Sequence, residues 1–147
     1  MSAYAELRDL TVESYGSATW KRRALARGME PDACYYAISA DRIIGKHHRI
    51  DLESAPPPDI VVEIDITNES LAKFGIYVAL PVPEIWYYDA RQMRFYELAD
   101  GAYREVAESR SLPGLSSPTM AAALEQSKTE GQTASLRLLR QRCSEQL

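Results

Sequence analysis

The sequence has little of several features that mark other classes of protein. Only two cysteines, Cys34 and Cys143, occur in 147 residues, which excludes a disulfide-stapled scaffold. The longest purely apolar runs are far shorter than the about 20 residues that cross a bilayer, and the first ten residues lack the apolar core of a signal peptide. We therefore expect a soluble, cytoplasmic protein with no membrane partner.

Positive charge is also in the minority. The chain has 17 Lys and Arg against 21 Asp and Glu, a formal net charge of −4. This balance argues against nonspecific coating of nucleic acid, but it leaves room for a local basic groove. The composition is otherwise typical of a globular protein, with 46% hydrophobic and 26% charged residues. The length predicts a single domain over residues 1–147.

The segment Asp59–Thr67 (DIVVEIDIT) is the clearest strand in the chain. Strand alternation places Ile60, Val62, Ile64 and Ile66 on one face, and this wholly apolar face is predicted to be core. The other face carries Asp59, Glu63 and Asp65. Because carboxylates seldom occupy a central strand without a partner, Glu63 is a candidate functional residue.

The other elements complete a mixed α/β protein with one central sheet. A short strand over Ala33–Ser39 comes before the acidic strand, and a helix from Asn68 or Ser70 to Leu80 comes after it. The remaining expected elements are strands at Glu84–Asp89, Met93–Leu98 and Ala102–Ala107, with a hairpin turn at Asp100-Gly101, and helices over Thr119–Gln126 and Thr133–Gln146. For Tyr4–Val12 the pattern leaves a short helix and a strand open.

Four residues of these elements could form a metal-dependent hydrolytic site. Glu63 and Asp65 lie about 6–7 Å apart on one face of the strand, and a divalent cation needs another carboxylate nearby. Asp32 is the candidate, because it begins the preceding strand and consecutive strands usually neighbour one another. Lys73, one turn into the following helix, could reach back over the strand end and offset transition-state charge.

Each of these residues also has a plainer interpretation. An Asp at the start of a strand is commonly a turn residue, and a helix Lys commonly faces solvent. Two polar clusters are open in the same way: His47-His48 and Lys21–Arg23 could contact phosphate, or they could be solvated surface.

The segments EPDACYYAI and PPPDIVVEIDITNESLAKFGIYVALPVPEIWYYD resemble the restriction endonuclease domain of the Uma-two family, within the PD-(D/E)xK nuclease superfamily. The resemblance covers about Gly16 to Gln146. The matching residues are Pro31-Asp32, Pro58-Asp59, Glu63, Lys73, Tyr77, Val82-Pro83-Glu84, Trp86 and Asp89. Pro81 stands where the family pattern has Gly.

The resemblance implies a restriction endonuclease-like central mixed sheet flanked by helices, and Mg²⁺-dependent hydrolysis of DNA phosphodiesters. Mn²⁺ could replace Mg²⁺. By position, Asp32 and Glu63 would be catalytic metal ligands, Lys73 would be the catalytic lysine displaced onto the helix, and the Pro58-Asp59 match is interpreted as structural. Asp65 stands at the position of the motif lysine, where it could add a third ligand or weaken the site.

A second departure concerns the N-terminus. The resemblance leads us to expect that this chain lacks an N-terminal hairpin and an acidic helix of the family, with Glu6 and Glu13 as weak substitutes. Two alternatives therefore stay open beside a DNA endonuclease, which could be dimeric. One is a non-catalytic remnant that serves as a binding or dimerisation module. The other is a metal site that acts on RNA.

Overall fold

The computed structural model describes residues 1–16, 30–46, 54–65 and 70–145. Its strands are β1 Glu13–Gly16, β2 Ala33–Tyr36, β3 Ile60–Ile64, β4 Glu84–Tyr88, β5 Met93–Ala99 and β6 Ala102–Val106. Its α-helices are α1 Ser2–Leu7, α2 Phe74–Ala79, α3 Ser117–Glu130 and α4 Gln132–Glu145. The mixed α/β class with one sheet, consistent with a restriction endonuclease-like fold, is confirmed.

The six strands form one sheet in the order β1-β2-β3-β4-β5-β6. All neighbours are antiparallel except β3 and β4, which run parallel. The parallel pair needs a crossover, and helix α2 lies on that connection. The predicted β5–β6 hairpin is present, and Asp100 and Gly101 take φ angles of 51° and 77°, as a two-residue type I′ turn requires.

Both faces of the sheet are covered. β3 therefore packs against a cluster on each face, and it also has a neighbouring strand along each edge. On one face, Val61 packs with Tyr36, Tyr77 and Ile85 beneath α2. On the other face, Ile60 packs with residues of α1, α3 and α4 around Trp86 and Phe95. That cluster contains Tyr4, Leu112, Leu115, Ala123, Leu139 and Cys143.

The prediction that the Ile face of the acidic strand is wholly core is wrong at one position. Ile60 is fully buried, but Ile64 is 53% exposed. The packing on this face therefore ends before the last residue of β3. Strand pairing also ends at Ile64, whereas the prediction ran to Thr67; residues 66–69 lie outside the described ranges.

The helices follow the sequence pattern with shifted ends. For Tyr4–Val12 the sequence leaves a short helix and a strand open, and its first residues belong to helix α1. The predicted helix after β3 starts as a 3₁₀ turn, Ser70–Lys73, which continues into α2. Its alternative start at Asn68 lies outside the described residues. Within the part of the chain that the structure describes, no helix has the length and apolarity needed to span a membrane.

Helix α3 is longer than its sequence pattern predicts. It begins at Ser117, because the Ser116 side chain caps it by accepting a hydrogen bond from the Thr119 amide at 3.3 Å. Pro118 lies in the first turn, where backbone N–H groups have no acceptor within the helix, so its missing N–H costs no hydrogen bond. The break expected near Gly131 is present, and Gly131 has a φ of 87° that a side chain would disfavour.

Asp59 holds the turn after β2 against the start of β3. Its buried carboxylate accepts hydrogen bonds from the Ala37 amide at 2.8 Å, the Ser39 amide at 2.7 Å and the Ser39 hydroxyl at 3.0 Å. These contacts give Asp59 a structural role at the end of β3 opposite to Glu63.

We expect Asp59→Ala to lower the free energy of unfolding by roughly 2–3 kcal/mol, because two backbone amides and a hydroxyl of a partly buried turn would lose their buried acceptor. Urea denaturation measures this change. The exposed Asp41→Asn is the control, and it should stay within about 0.5 kcal/mol of the wild type. Equal stability of the two variants would contradict the structural role of Asp59.

Candidate active site

The centre of the candidate site is the Glu63 carboxylate, which is fully buried near the end of β3. Oε2 accepts a hydrogen bond from Lys73 Nζ at 2.8 Å, and Oε1 accepts one from the hydroxyl of Tyr77. Burying an uncompensated carboxylate is costly, so these contacts are what make the position tenable. The expected reach of Lys73 back over the strand end is therefore present in the structure.

Lys73 connects this buried group to the surface. Its side chain is 40% exposed, whereas that of Glu63 is inaccessible. The ammonium thus bonds a buried carboxylate on one side and meets solvent on the other. A ligand approaching from solvent would meet the cation of the pair.

Asp32 directly precedes β2, the strand that neighbours β3. In the β2–β3 register Ala33 pairs with Val62, so the next position along sets Asp32 opposite Glu63. Directly opposed residues of an antiparallel pair have Cβ atoms about 4.5–5.5 Å apart on the same face. The exposed Asp32 carboxylate is oriented by the Ile64 amide, which donates to Oδ2 at 2.6 Å.

The phenol of Tyr77 is under the influence of both carboxylates. Burial raises its pKa most, followed by the hydrogen bond to Glu63 and the negative charges of Glu63 and Asp32. The phenol therefore stays protonated and acts as a hydrogen-bond donor. The contribution of Asp32 agrees with its position across from Glu63.

Asp65 continues the acidic face beyond Glu63, but with a different partner. It is 3% exposed, and Oδ2 accepts a hydrogen bond from the Tyr87 hydroxyl at 3.1 Å. Burial and this bond raise the pKa of Tyr87. The Asp65 amide donates to the Tyr88 carbonyl at 2.8 Å, which ties the residue to β4.

Tyr77 is the site residue that sequence reasoning missed as a functional group. A signal for it was present, since Lys73 and Tyr77 are four residues apart and such positions share one face of a helix. The pattern shows the shared face but not its partner. Only the packing of α2 on the sheet shows that both side chains meet Glu63.

Other candidates are not brought to this site or cannot be placed. Glu13 pairs with Tyr36, toward the opposite end of β2 from Asp32. Glu6 is exposed on α1, which packs against α4. His47-His48 and Lys21–Arg23 lie outside the described residues.

The donor set fits Mg²⁺. Within residues 1–16, 30–46, 54–65 and 70–145, no group of three or more His, Cys, Asp or Glu side chains is arranged to hold a metal. Mg²⁺, however, is commonly bound through one or two carboxylates together with waters and substrate phosphates. Asp32 and Glu63 supply two carboxylates side by side, and a carboxylate oxygen keeps acceptor capacity after one hydrogen bond.

Comparison with known proteins adds the family. No curated protein matches the chain. The family model Uma2, described as "Putative restriction endonuclease", matches residues 1–129, which extends the match to the N-terminal helix and strand. That range includes Asp32, Glu63, Asp65 and Lys73. The chain therefore belongs to the Uma2 family, the Uma-two family that its motifs resemble.

Proposed function

We propose that this protein is a metal-dependent endonuclease that hydrolyses phosphodiester bonds in DNA, with Asp32 and Glu63 as the Mg²⁺ ligands. The observation that carries the proposal is that Asp32, directly before β2, continues the register opposite Glu63 on β3, with Lys73 bonded to Glu63 at 2.8 Å. Membership of a family described as restriction endonucleases supports the same reaction class.

The proposed role of each residue follows from its charge and its exposure. A bound divalent cation would supply Lewis acidity, by lowering the pKa of a water and polarising the phosphate. Lys73 is placed to offset the negative charge that develops on the phosphoryl oxygens, because its ammonium is partly exposed. The Tyr77 hydroxyl holds Glu63 in one orientation from the buried side.

Four further assignments belong to this proposal: a third ligand, the nucleic acid, the oligomeric state and the location. Asp65 stays a predicted third ligand because of its shared face with Glu63, but within the described residues no three such side chains surround one metal position, and its carboxylate accepts a hydrogen bond from Tyr87. DNA is preferred to RNA on family grounds alone. Assembly as a homodimer and a cytoplasmic location also stay predictions.

A non-catalytic binding or dimerisation module is the alternative. It is favoured by Asp65, which puts a buried acid where the family motif has its lysine. The experiments below separate it from an enzyme.

Glu63→Gln is expected to reduce cleavage of plasmid DNA in Mg²⁺ by at least roughly 100-fold with little loss of stability. The amide oxygen of Gln can accept from Lys73, and the Tyr77 hydroxyl can turn to accept from the amide group, so the fold keeps its hydrogen bonds. Gel assays of nicked and linear plasmid measure cleavage.

The matched control is Glu105→Gln on β6, an exposed position that should cleave like the wild type. If Glu63→Gln cleaves as fast as this control, the assignment of Glu63 is lost. If folded wild type cleaves neither DNA nor RNA, the non-catalytic alternative is supported.

Metal binding gives a readout that does not depend on turnover. We expect the wild type to bind Mg²⁺ or Mn²⁺ with a micromolar-to-millimolar Kd by calorimetry, and Glu63→Gln to lose the binding. The physical reason is the loss of the anionic charge of one of the proposed ligands. Binding that survives in Glu63→Gln would place the metal elsewhere, and a folded wild type that binds neither ion would overturn the metal site.

Lys73→Met is expected to lower the cleavage rate by roughly 100-fold while metal binding is retained, because the lysine acts on the phosphate and not as a ligand. Lys128→Met is the matched control, since Lys128 also bonds a glutamate, Glu125, at 2.6 Å. Equal rates for the two variants would show that Lys73 has no role in the reaction. Circular dichroism is the check that both variants are folded.

A further inference from the structure

The register of the sheet aligns four residues with charged or hydrogen-bonding side chains in one row. Asp32 lies opposite Glu63, Glu63 pairs with Tyr87, and Tyr87 pairs with Arg94. Opposed residues on neighbouring strands share a face. Arg94 therefore stands on the same face as the candidate site and two strands away from Glu63.

The distance across the row is of the size that separates nearby phosphates of a nucleic acid strand. Neighbouring strands lie about 4.7–4.9 Å apart, so the backbones at Glu63 and Arg94 are separated by roughly 10 Å. Phosphates follow one another at about 3.4 Å of axial rise along a DNA strand. Because the phosphates also wind around the axis, their separation in space exceeds this rise, and Arg94 is within reach of a phosphate that flanks one bound at Glu63.

The Arg94 guanidinium is held in place by the turn between β4 and β5. It donates to Gln92 Oε1 at 2.6 Å, and it lies 3.7 Å from Asp89 Oδ2. The turn is itself ordered, because Asp89 Oδ1 accepts from the Arg91 and Gln92 amides at 3.0 and 2.8 Å.

These contacts leave the guanidinium available to a ligand. The ion pair with Asp89 is long, and the Arg94 side chain is 33% exposed. A guanidinium has more N–H donors than these contacts use, in a planar arrangement that suits phosphate oxygens. Arg94 is thus a pre-oriented cation with free capacity for an anion.

Charge on this face supports the same role. Asp32, Glu63 and Asp65 would repel a polyanion, and Lys73 is already engaged by Glu63. A substrate strand crossing this face needs a cation beyond the carboxylates.

We propose that Arg94 binds a backbone phosphate of the DNA strand that flanks the scissile bond. The proposal rests on the proposed function, because it takes Glu63 as the place of the reacting phosphate. A phosphate contact positions the strand and carries no sequence information, so the effect of Arg94 is the same for any DNA sequence.

Arg104 is a matched control within the same sheet. It pairs in register with Glu97, which places it on the opposite face, and its guanidinium also lies 3.7 Å from a carboxylate, that of Glu97. Both arginines are therefore strand residues with a long ion pair. They differ in the face of the sheet and in exposure.

The test is the Kd of wild type, Arg94→Gln and Arg104→Gln for a short DNA duplex without Mg²⁺, measured by fluorescence anisotropy at several salt concentrations. We expect Arg94→Gln to weaken binding about five- to tenfold for two unrelated sequences, and to reduce the slope of log Kd against log salt by about 1. Arg104→Gln should match the wild type. Arg94→Lys should keep the salt slope, because it keeps the charge.

The outcomes separate this proposal from the proposed function. If wild type cleaves DNA and Arg94→Gln binds with unchanged Kd and salt slope, the Arg94 assignment is overturned and the nuclease stands. If Arg104→Gln has the same effect as Arg94→Gln, the effect is one of net charge and the assignment is also overturned. If the folded wild type neither binds nor cleaves DNA, both proposals fail.

Discussion

The structure around the candidate site depends on one buried charge. Glu63 lies at 0% exposure on the central strand, a position that is tenable only with partners for its carboxylate. Lys73 and Tyr77 provide them from the helix that crosses between the two parallel strands. The crossover segment therefore has two effects: it packs against one face of the sheet, and it pairs a lysine with the buried acid. A carboxylate maintained at this energetic cost is a reason to seek a function at the position.

The sheet separates stability from chemistry by location. The start of β3 is held by apolar packing and by the three hydrogen bonds to Asp59. The end of the same strand carries Glu63, faces Asp32 across one strand spacing and ends at the exposed Ile64. The exposed groups of the site are the Asp32 carboxylate and the Lys73 ammonium, whereas Glu63 and Asp65 are buried. A ligand from solvent would therefore meet Asp32 and Lys73 before it could contact Glu63.

Much of the architecture was predictable because its signals are local. The alternation in β3, the Asp100-Gly101 turn and the break at Gly131 each depend on a few neighbouring residues. The failure at Ile64 has the opposite cause. Alternation assigns a residue to a face, but whether that face is covered there depends on where distant helices end. Helix α3 lies between these two cases. Its Ser116 cap is a local signal, but the sequence offers more than one residue that could cap the helix, so its start was predicted too late.

The sequence by itself determined the acidic strand, the helix that follows it and the spacing of Lys73 and Tyr77, since these are short-range properties of the chain. The family follows from the same motifs. Only the tertiary structure decided that Asp32 lies opposite Glu63 and that the Tyr77 phenol bonds the Glu63 carboxylate. It also decided that Arg94 aligns with Tyr87 in the same row. The physical reason is register: a shift of one residue moves a side chain to the other face of a sheet, and hydrogen bonding and packing over the whole sheet select the alignment.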